Sequence, residues 1–113
     1  MRIWDRLLLR GLRTHIPEDA SVVAIERGTA DAVGEMRKTT AVLTDDSLLL
    51  ATSARTKTIL TVVPRRDIRS VKEVEEHVVT IRFDDYAHAR ARVIQLDLKK
   101  YGDREGIIAK LRP

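Results

Sequence analysis

The amino-acid sequence predicts a mainly β (α+β) fold, a seven-stranded antiparallel barrel or sandwich capped by a C-terminal helix, with an extra N-terminal amphipathic helix. Three observations support this prediction. Short segments rich in Val, Ile and Thr follow one another between turn-forming residues. The apolar spacing becomes helical at both ends of the chain. A length of 113 residues suits one domain with one core.

The first segment, residues 1–16, has the pattern of a basic amphipathic helix. Its apolar residues recur at helical spacing, and its arginines fall on the other side. They include Trp4, Leu7 and Leu8 on the apolar side, and Arg6 and Arg10 on the basic side. Pro17 disfavours helical backbone at the preceding residue and so ends the helix. The apolar side chains need a cover, either the protein's own β domain, a second copy or partner groove, or a membrane surface.

Seven strand segments are predicted after this helix because each is short and β-branched or alternates in polarity. They cover residues 21–27, 36–43, 48–52, 56–63, 68–75, 79–83 and 93–98. A loop from Gly28 to Gly34 follows the first, and polar residues 44–47 make the turn of a hairpin. Pro64 ends the fourth strand, and the spacing of the apolar residues after it predicts a bend at Arg69-Ser70.

Two short connections complete the strand pattern, namely residues 76–77 and a polar loop over residues 84–90. The C-terminal segment then changes to helical spacing. Asp103 is a suitable N-cap, and Ile107, Ile108 and Leu111 share one face. We expect this helix to cover the open end of the barrel.

Composition excludes several classes of protein. The chain has no cysteine, which removes disulfides, thiolate nucleophiles and cysteine metal sites and fits a reducing compartment. No apolar run approaches the ~18 residues that span a bilayer. We therefore expect a cytoplasmic protein, with peripheral membrane attachment as an alternative. The net charge of +4 mixes 21 basic with 17 acidic residues, so it permits an anionic partner without specifying one.

No catalytic, cofactor-binding or metal-binding site is predicted. The adjacent acids fall where strands end, as turn residues do, and the histidines are too far apart in the chain for a metal-ligand motif. These residues are Asp45-Asp46, Asp84-Asp85, His15, His77 and His88. Phosphate-binding loops and the nucleophile motif of α/β-hydrolases are absent from the sequence. We expect a protein that is not an enzyme and needs no cofactor.

Four sequence segments resemble bacterial pleckstrin-homology-like (PH-like) domains over roughly residues 20–112. They are AVLTDDSLLLAT, PRRDIRSV, VVTIRFDD and DREGIIAKL, at residues 41–52, 64–71, 78–85 and 103–111. The resemblance implies two packed, nearly orthogonal sheets plugged by the terminal helix, and it divides the chain into a helix at 1–16 and a domain at 20–113. The family's headgroup-binding segment matches residues 22–43, whose loop has no Lys or Arg, so phosphoinositide binding is not expected.

The predicted function is that of a non-enzymatic interaction module of unassigned partner, acting through protein–protein contact or self-association. Its candidate surface comprises Trp4, Arg6, Leu7, Leu8, Arg10, Arg65 and Arg66. The alternative is a peripheral domain that binds anionic lipid through the arginine face of residues 2–13 together with the rim around Arg65 and Arg66. A basic group around the fourth strand either converges on one rim or stays solvated, and it comprises Arg55, Lys57, Arg65, Arg66 and Arg69. Nucleic-acid binding is not expected, because no recognition motif accompanies the charge.

Overall fold

The computed structural model describes residues 21–75 and 78–98, together with Ile107 and Leu111. Seven β-strands run through this part of the chain. They are β1 Val22–Ala30, β2 Arg37–Thr44, β3 Ser47–Ser53, β4 Thr58–Pro64, β5 Ile68–Glu75, β6 Val78–Asp85 and β7 Arg90–Asp97. Two three-residue 3-10 helices, Arg65–Asp67 and Tyr86–His88, connect β4 to β5 and β6 to β7.

The strands form one antiparallel sheet in the order β4-β3-β2-β1-β7-β6-β5. Strand β1 joins two halves of this sheet. It pairs with β2 along most of its length, and with β7 only where Thr29 and Ala30 face Asp97 and Leu96. The sheet is therefore continuous, with its narrowest pairing at the centre.

Gly28 allows β1 and β7 to approach each other. A Cβ atom at this position would lie 2.0 Å from the carbonyl oxygen of Asp97 and 3.0 Å from the Cα of Leu98. Both atoms belong to backbone, which cannot rotate away as a side chain can. The predicted loop from Gly28 is therefore wrong at its start, because the glycine continues β1 and serves close strand contact rather than a turn.

The larger apolar cluster lies on the inner face of the sheet and takes residues from both halves. Leu50 on β3 and Ile81 on β6 belong to it, although these strands would be about 19 Å apart in a flat sheet. The sheet therefore bends around its core. Fully buried members include Leu43, Leu48, Leu50, Ile81, Ile94, Leu96, Leu98 and Ile107.

A second apolar cluster lies on the outer face of β1–β4. Its buried members are Val42, Leu49 and Ala51, and partly buried Ile25 and Leu60 pack against them. Side chains alternate between the two faces along a strand, so Val42 and Leu43 point in opposite directions. Both faces of this half of the sheet are thus apolar at the centre.

The predicted fold class is wrong. The elements described by the structure are strands and 3-10 helices, so the class is all-β, and the strands form one sheet rather than two packed sheets. The predicted helix at 1–16 lies outside the described residues. Within the predicted C-terminal helix, Ile107 and Leu111 have helical backbone and are buried in the larger cluster, but two separate residues do not define an element. Helical apolar spacing over so short a segment indicates burial more reliably than element type.

Two predictions of local structure are confirmed. The bend at Arg69-Ser70 is confirmed, because the β5–β6 register shifts between Ile68 and Ser70. The turn at 44–47 is also confirmed, since β2 ends at Thr44 and β3 begins at Ser47. The loop predicted over 84–90 is shorter than expected, because β6 continues through Asp85 before the second 3-10 helix.

Candidate interaction surface

Of the seven residues predicted to form the interaction surface, five fall in residues 1–20, outside the described part of the chain. They are Trp4, Arg6, Leu7, Leu8 and Arg10. The structure places the other two, Arg65 and Arg66, in the 3-10 helix that follows β4. The side chain of Arg66 is 87% exposed, and its Nε atom lies 3.9 Å from Oδ1 of Asp67. An ion pair of this kind contributes little to stability.

Arg65 and Arg66 border an open cavity of about 370 Å³ at the corner between the β2–β3 turn and the end of β4. The cavity is lined by Asp45, Asp46, Ser47, Pro64, Arg65 and Arg66. Two carboxylates and two guanidinium groups thus share one small surface. This mixed charge suits polar contacts with a protein better than selective binding of an anion.

Hydrogen bonds hold the turn beside this cavity. The Thr44 hydroxyl accepts from the backbone N–H of Ser47 at 2.9 Å and of Asp46 at 3.3 Å, and it lies 3.2 Å from the Ser47 carbonyl as a donor. The Asp46 carbonyl accepts from the backbone N–H of Arg65 at 2.8 Å. The corner is therefore connected through its backbone, as the side-chain bonding of turn residues predicts.

The structure does not bring the predicted basic group together. Lys57 and Arg65 flank the two ends of β4, which puts their backbones about 26 Å apart along an extended strand. Arg69 on β5 is engaged elsewhere, because its Nε donates to Oδ2 of Asp84 at 2.6 Å. That hydrogen bond and the negative charge of Asp84 raise the pKa of Arg69.

The two outermost strands of the described sheet differ in chemistry. Strand β4 carries no charged residue from Thr58 to Pro64 and exposes 43% of Val62. Strand β5 has register shifts at two places and contains Arg69, Lys72, Glu73 and Glu75. Bulges and charges are the devices that protect an edge strand from further pairing. By these two criteria β5 is protected, whereas β4 is protected only at its last residue, Pro64, which has no backbone N–H to donate.

Sequence reasoning missed a charged cluster at the β6–β7 turn. The Asp85 carboxylate contacts Nδ1 of His88 at 2.8 Å and Nη1 of Arg92 at 3.4 Å, while Nη2 of Arg92 donates to the Ala32 carbonyl at 3.0 Å. Burial alone would raise the pKa of Asp85, but the bonds from His88 and Arg92 outweigh it and the pKa is lowered. The Asp-x-x-His spacing could have predicted the contact between Asp85 and His88. No sequence pattern predicts the hydrogen bond from Arg92 to the distant Ala32 carbonyl.

The Asp85–His88 pair is part of the turn itself. The backbone N–H of His88 also donates to Oδ1 of Asp85 at 3.3 Å, and Ala89 follows with a left-handed backbone at φ 52°. The carboxylate thus caps the 3-10 helix. This arrangement confirms the interpretation of Asp84-Asp85 as strand-end residues. Across the described ranges, no three His, Asp or Glu side chains are grouped as metal ligands.

Comparisons with known proteins support the fold and leave the function unassigned. Neither a family model nor a curated protein matches the chain. One similar solved structure is the crystal structure of the C-terminal domain of an unknown protein from Leishmania infantum, with a TM-score of 0.67 and 10% identity. The similarity covers 96% of this chain and 94% of that one. At this identity it shows a shared fold only, and the PH-like resemblance stays a prediction.

Among the residues that the structure describes, no helix has the length and apolarity needed to cross a bilayer.

Proposed function

We propose that this chain is a non-enzymatic interaction module that binds a second copy of itself along the edge of β4. The observation that carries the proposal is the difference between the two outermost strands. In the sheet formed by the described residues, β4 is an uncharged edge of seven residues, whereas β5 is bulged and charged. An unprotected edge strand offers a row of backbone donors and acceptors to another strand.

A second copy fits this edge because antiparallel pairing of β4 with β4 is symmetric about a two-fold axis. Each copy then presents the same surface to the other, which is the commonest arrangement in dimers. The exposed Val62 side chain would add apolar contact at the junction. The corner cavity with Arg65 and Arg66 lies at the end of the same strand, and its mixed charges would supply a polar rim.

The alternative of anionic-lipid binding has weaker support. Arg65 and Arg66 share their cavity with Asp45 and Asp46, and the other members of the predicted basic group lie at the far end of β4 or pair with Asp84. A dispersed charge attracts an anionic membrane less than a cluster does. A cytoplasmic location belongs to the proposal and is supported by the absence of cysteine.

The test is sedimentation velocity on the full chain across a concentration series, with two matched variants. Val62→Lys places a charge on the β4 edge, and Val74→Lys makes the same change at 55%-exposed Val74 on β5. We expect concentration-dependent dimerisation that Val62→Lys weakens about tenfold, a free-energy change of about 1.4 kcal/mol. Val74→Lys should leave dimerisation unchanged.

Three outcomes would contradict the proposal. A chain that stays monomeric at high concentration does not self-associate, and equal effects of the two variants would place the interface elsewhere. The third is co-sedimentation with phosphatidylserine vesicles that is lost in Arg65→Ala with Arg66→Ala, together with a monomeric chain. That result would favour the anionic-lipid alternative.

A further inference from the structure

The hydrogen bonds between β3 and β4 determine which backbone groups of β4 face the open edge. At one end of this ladder, the Arg65 N–H donates to the Asp46 carbonyl at 2.8 Å. At the other end, the Ala54 N–H donates to the Lys57 carbonyl at 2.8 Å. Hydrogen-bonded and non-hydrogen-bonded pairs alternate along an antiparallel ladder, so the odd-numbered residues of β4 bond to β3. The residues whose N–H and C=O positions point away from β3 are Thr58, Leu60, Val62 and Pro64.

Pro64 agrees with this alternation. A proline has no N–H, and a sheet tolerates it where the missing donor would face away from the ladder. The open side of β4 therefore carries the N–H groups of Thr58, Leu60 and Val62, together with the carbonyls of all four outward-facing residues. No strand of the described sheet pairs with this side.

The outward-facing residues also direct their side chains to the outer face of the sheet. Val62 lies opposite Leu49, a buried member of the outer apolar cluster, and is itself 43% exposed. Leu60 lies opposite Ala51 and packs against the same cluster. The edge therefore presents apolar side chains beside its outward-facing donors and acceptors.

Two symmetric registers of β4 with a second β4 give each outward N–H an acceptor within the strand. In the first, Leu60 lies opposite Leu60 of the partner subunit, and Thr58 lies opposite the partner's Val62. In the second, the strands slip by two residues, so that Thr58 lies opposite the partner's Pro64. The slipped register directs the proline ring at a Thr58 carbonyl, where an N–H would otherwise donate. The first register leaves Pro64 outside the ladder.

We propose that two copies pair in the first register, with Leu60 at the two-fold axis. This inference rests on the proposed dimerisation through β4 and specifies its geometry. Thr58, Leu60 and Val62 of each copy exchange hydrogen bonds with the same three residues of the other copy. Directly opposed residues have Cβ atoms about 4.5–5.5 Å apart, so the two Leu60 side chains contact each other between the two outer clusters. Pro64 ends the ladder and thereby selects the register.

The test is disulfide formation in single-cysteine variants, which is unambiguous because the natural chain has no cysteine. In the proposed register the Cα atoms of the two Leu60 residues are about 5.5 Å apart, a distance that a disulfide spans. Those of Thr61 are about 8 Å apart and those of Val62 about 14 Å, which a disulfide does not span. At concentrations where the reduced chain dimerises, Leu60→Cys should form a covalent dimer under mild oxidation, whereas Thr61→Cys and Val62→Cys should not.

An isotope-filtered nuclear Overhauser experiment on the unmodified chain tests the register without any substitution. Labelled and unlabelled protein are mixed, and cross-peaks between the two copies are recorded. The proposed register makes Ile59 and the partner's Thr61 a non-hydrogen-bonded pair with Cα atoms about 4.5 Å apart, so their α-protons should give a cross-peak. The slipped register would instead give a cross-peak between Ile59 and the partner's Val63.

The outcomes separate failure of the register from failure of dimerisation. A covalent dimer from Thr61→Cys and none from Leu60→Cys, or the cross-peak between Ile59 and the partner's Val63, would overturn the register and leave dimerisation through β4 standing. A chain that stays monomeric would overturn both the register and the proposed function. So would a dimer that shows neither cross-peak and no disulfide at any of the three positions, because its interface would lie elsewhere.

Discussion

The Glu26 carboxylate on β1 accepts a hydrogen bond from the backbone N–H of Ile107 at 3.0 Å, across a separation of 81 residues. Glu26 is 7% exposed and Ile107 is 0% exposed, so the bond lies inside the protein. A buried backbone donor without an acceptor is costly, and a strand side chain here supplies the acceptor. The bond therefore ties Ile107 to the first strand.

Loss of that acceptor should destabilise the domain. Glu26→Ala leaves the Ile107 N–H without its carboxylate, at an expected cost of about 1–3 kcal/mol in the free energy of unfolding. Glu26→Gln keeps an acceptor oxygen and should cost less. Urea denaturation midpoints measure both, with exposed Glu35→Gln as the control. If Glu26→Ala unfolds at the midpoint of the control, the bond does not contribute to stability.

Gly28 should be the least replaceable glycine in the described part of the chain. Gly28→Ala forces its Cβ against the Asp97 carbonyl, and overpacking of this kind costs about 1–3 kcal/mol or more. Gly34→Ala meets nothing within 4 Å, so its cost is limited to the backbone strain of φ +92°. Thermal unfolding should give a lower midpoint for Gly28→Ala than for Gly34→Ala. The reverse order would show that β1 and β7 can separate at little cost.

Asp85 should make stability depend on acid pH. Its pKa is lower in the folded protein than in the unfolded chain, so the charged carboxylate stabilises the fold. This contribution is complete above the unfolded pKa of about 3.9 and is lost as pH falls through the lower, folded value. Asp85→Asn should therefore be destabilised at neutral pH and approach the native protein in strong acid. Urea midpoints measured across pH test this. A deficit that is constant across pH, or one equally shown by exposed Glu75→Gln, would contradict it.

The sequence predicted the features that depend on neighbouring residues. The turn after Thr44 was predictable because a hydroxyl beside a strand end can bond the backbone two and three residues later. The bend near Ser70 was predictable from a break in alternation. The remaining features depend on contacts between distant parts of the chain. No local sequence pattern predicts the close approach of Gly28 to Asp97. The same is true of the hydrogen bond from Ile107 to Glu26.

The candidate surface also combines features that neighbouring residues predict with features that depend on distant parts of the chain. The placement of Arg65 and Arg66 after β4 followed from Pro64 ending a strand. That Asp45 and Asp46 would share their cavity could not be predicted, because it depends on which turn packs beside the end of β4. The difference between β4 and β5 also emerged only from strand order, since sequence does not state which strands lie at the edges.

The brief pairing of β1 with β7 has a consequence for how the domain assembles and opens. Strands β1 to β4 and β5 to β7 are meanders that form from neighbouring segments, whereas the Thr29–Asp97 pair joins positions about 70 residues apart. Bringing together the ends of so long a loop costs conformational entropy before any stabilising contact forms between them. We therefore expect the β1–β7 pairing to form late in folding. Its ladder of two residue pairs is the shortest in the described sheet, although hydrogen bonds between Asp31 and Gln95 and between Arg92 and Ala32 add to it. Under stress we therefore expect the sheet to part here first and to leave two meanders that each keep their own ladder.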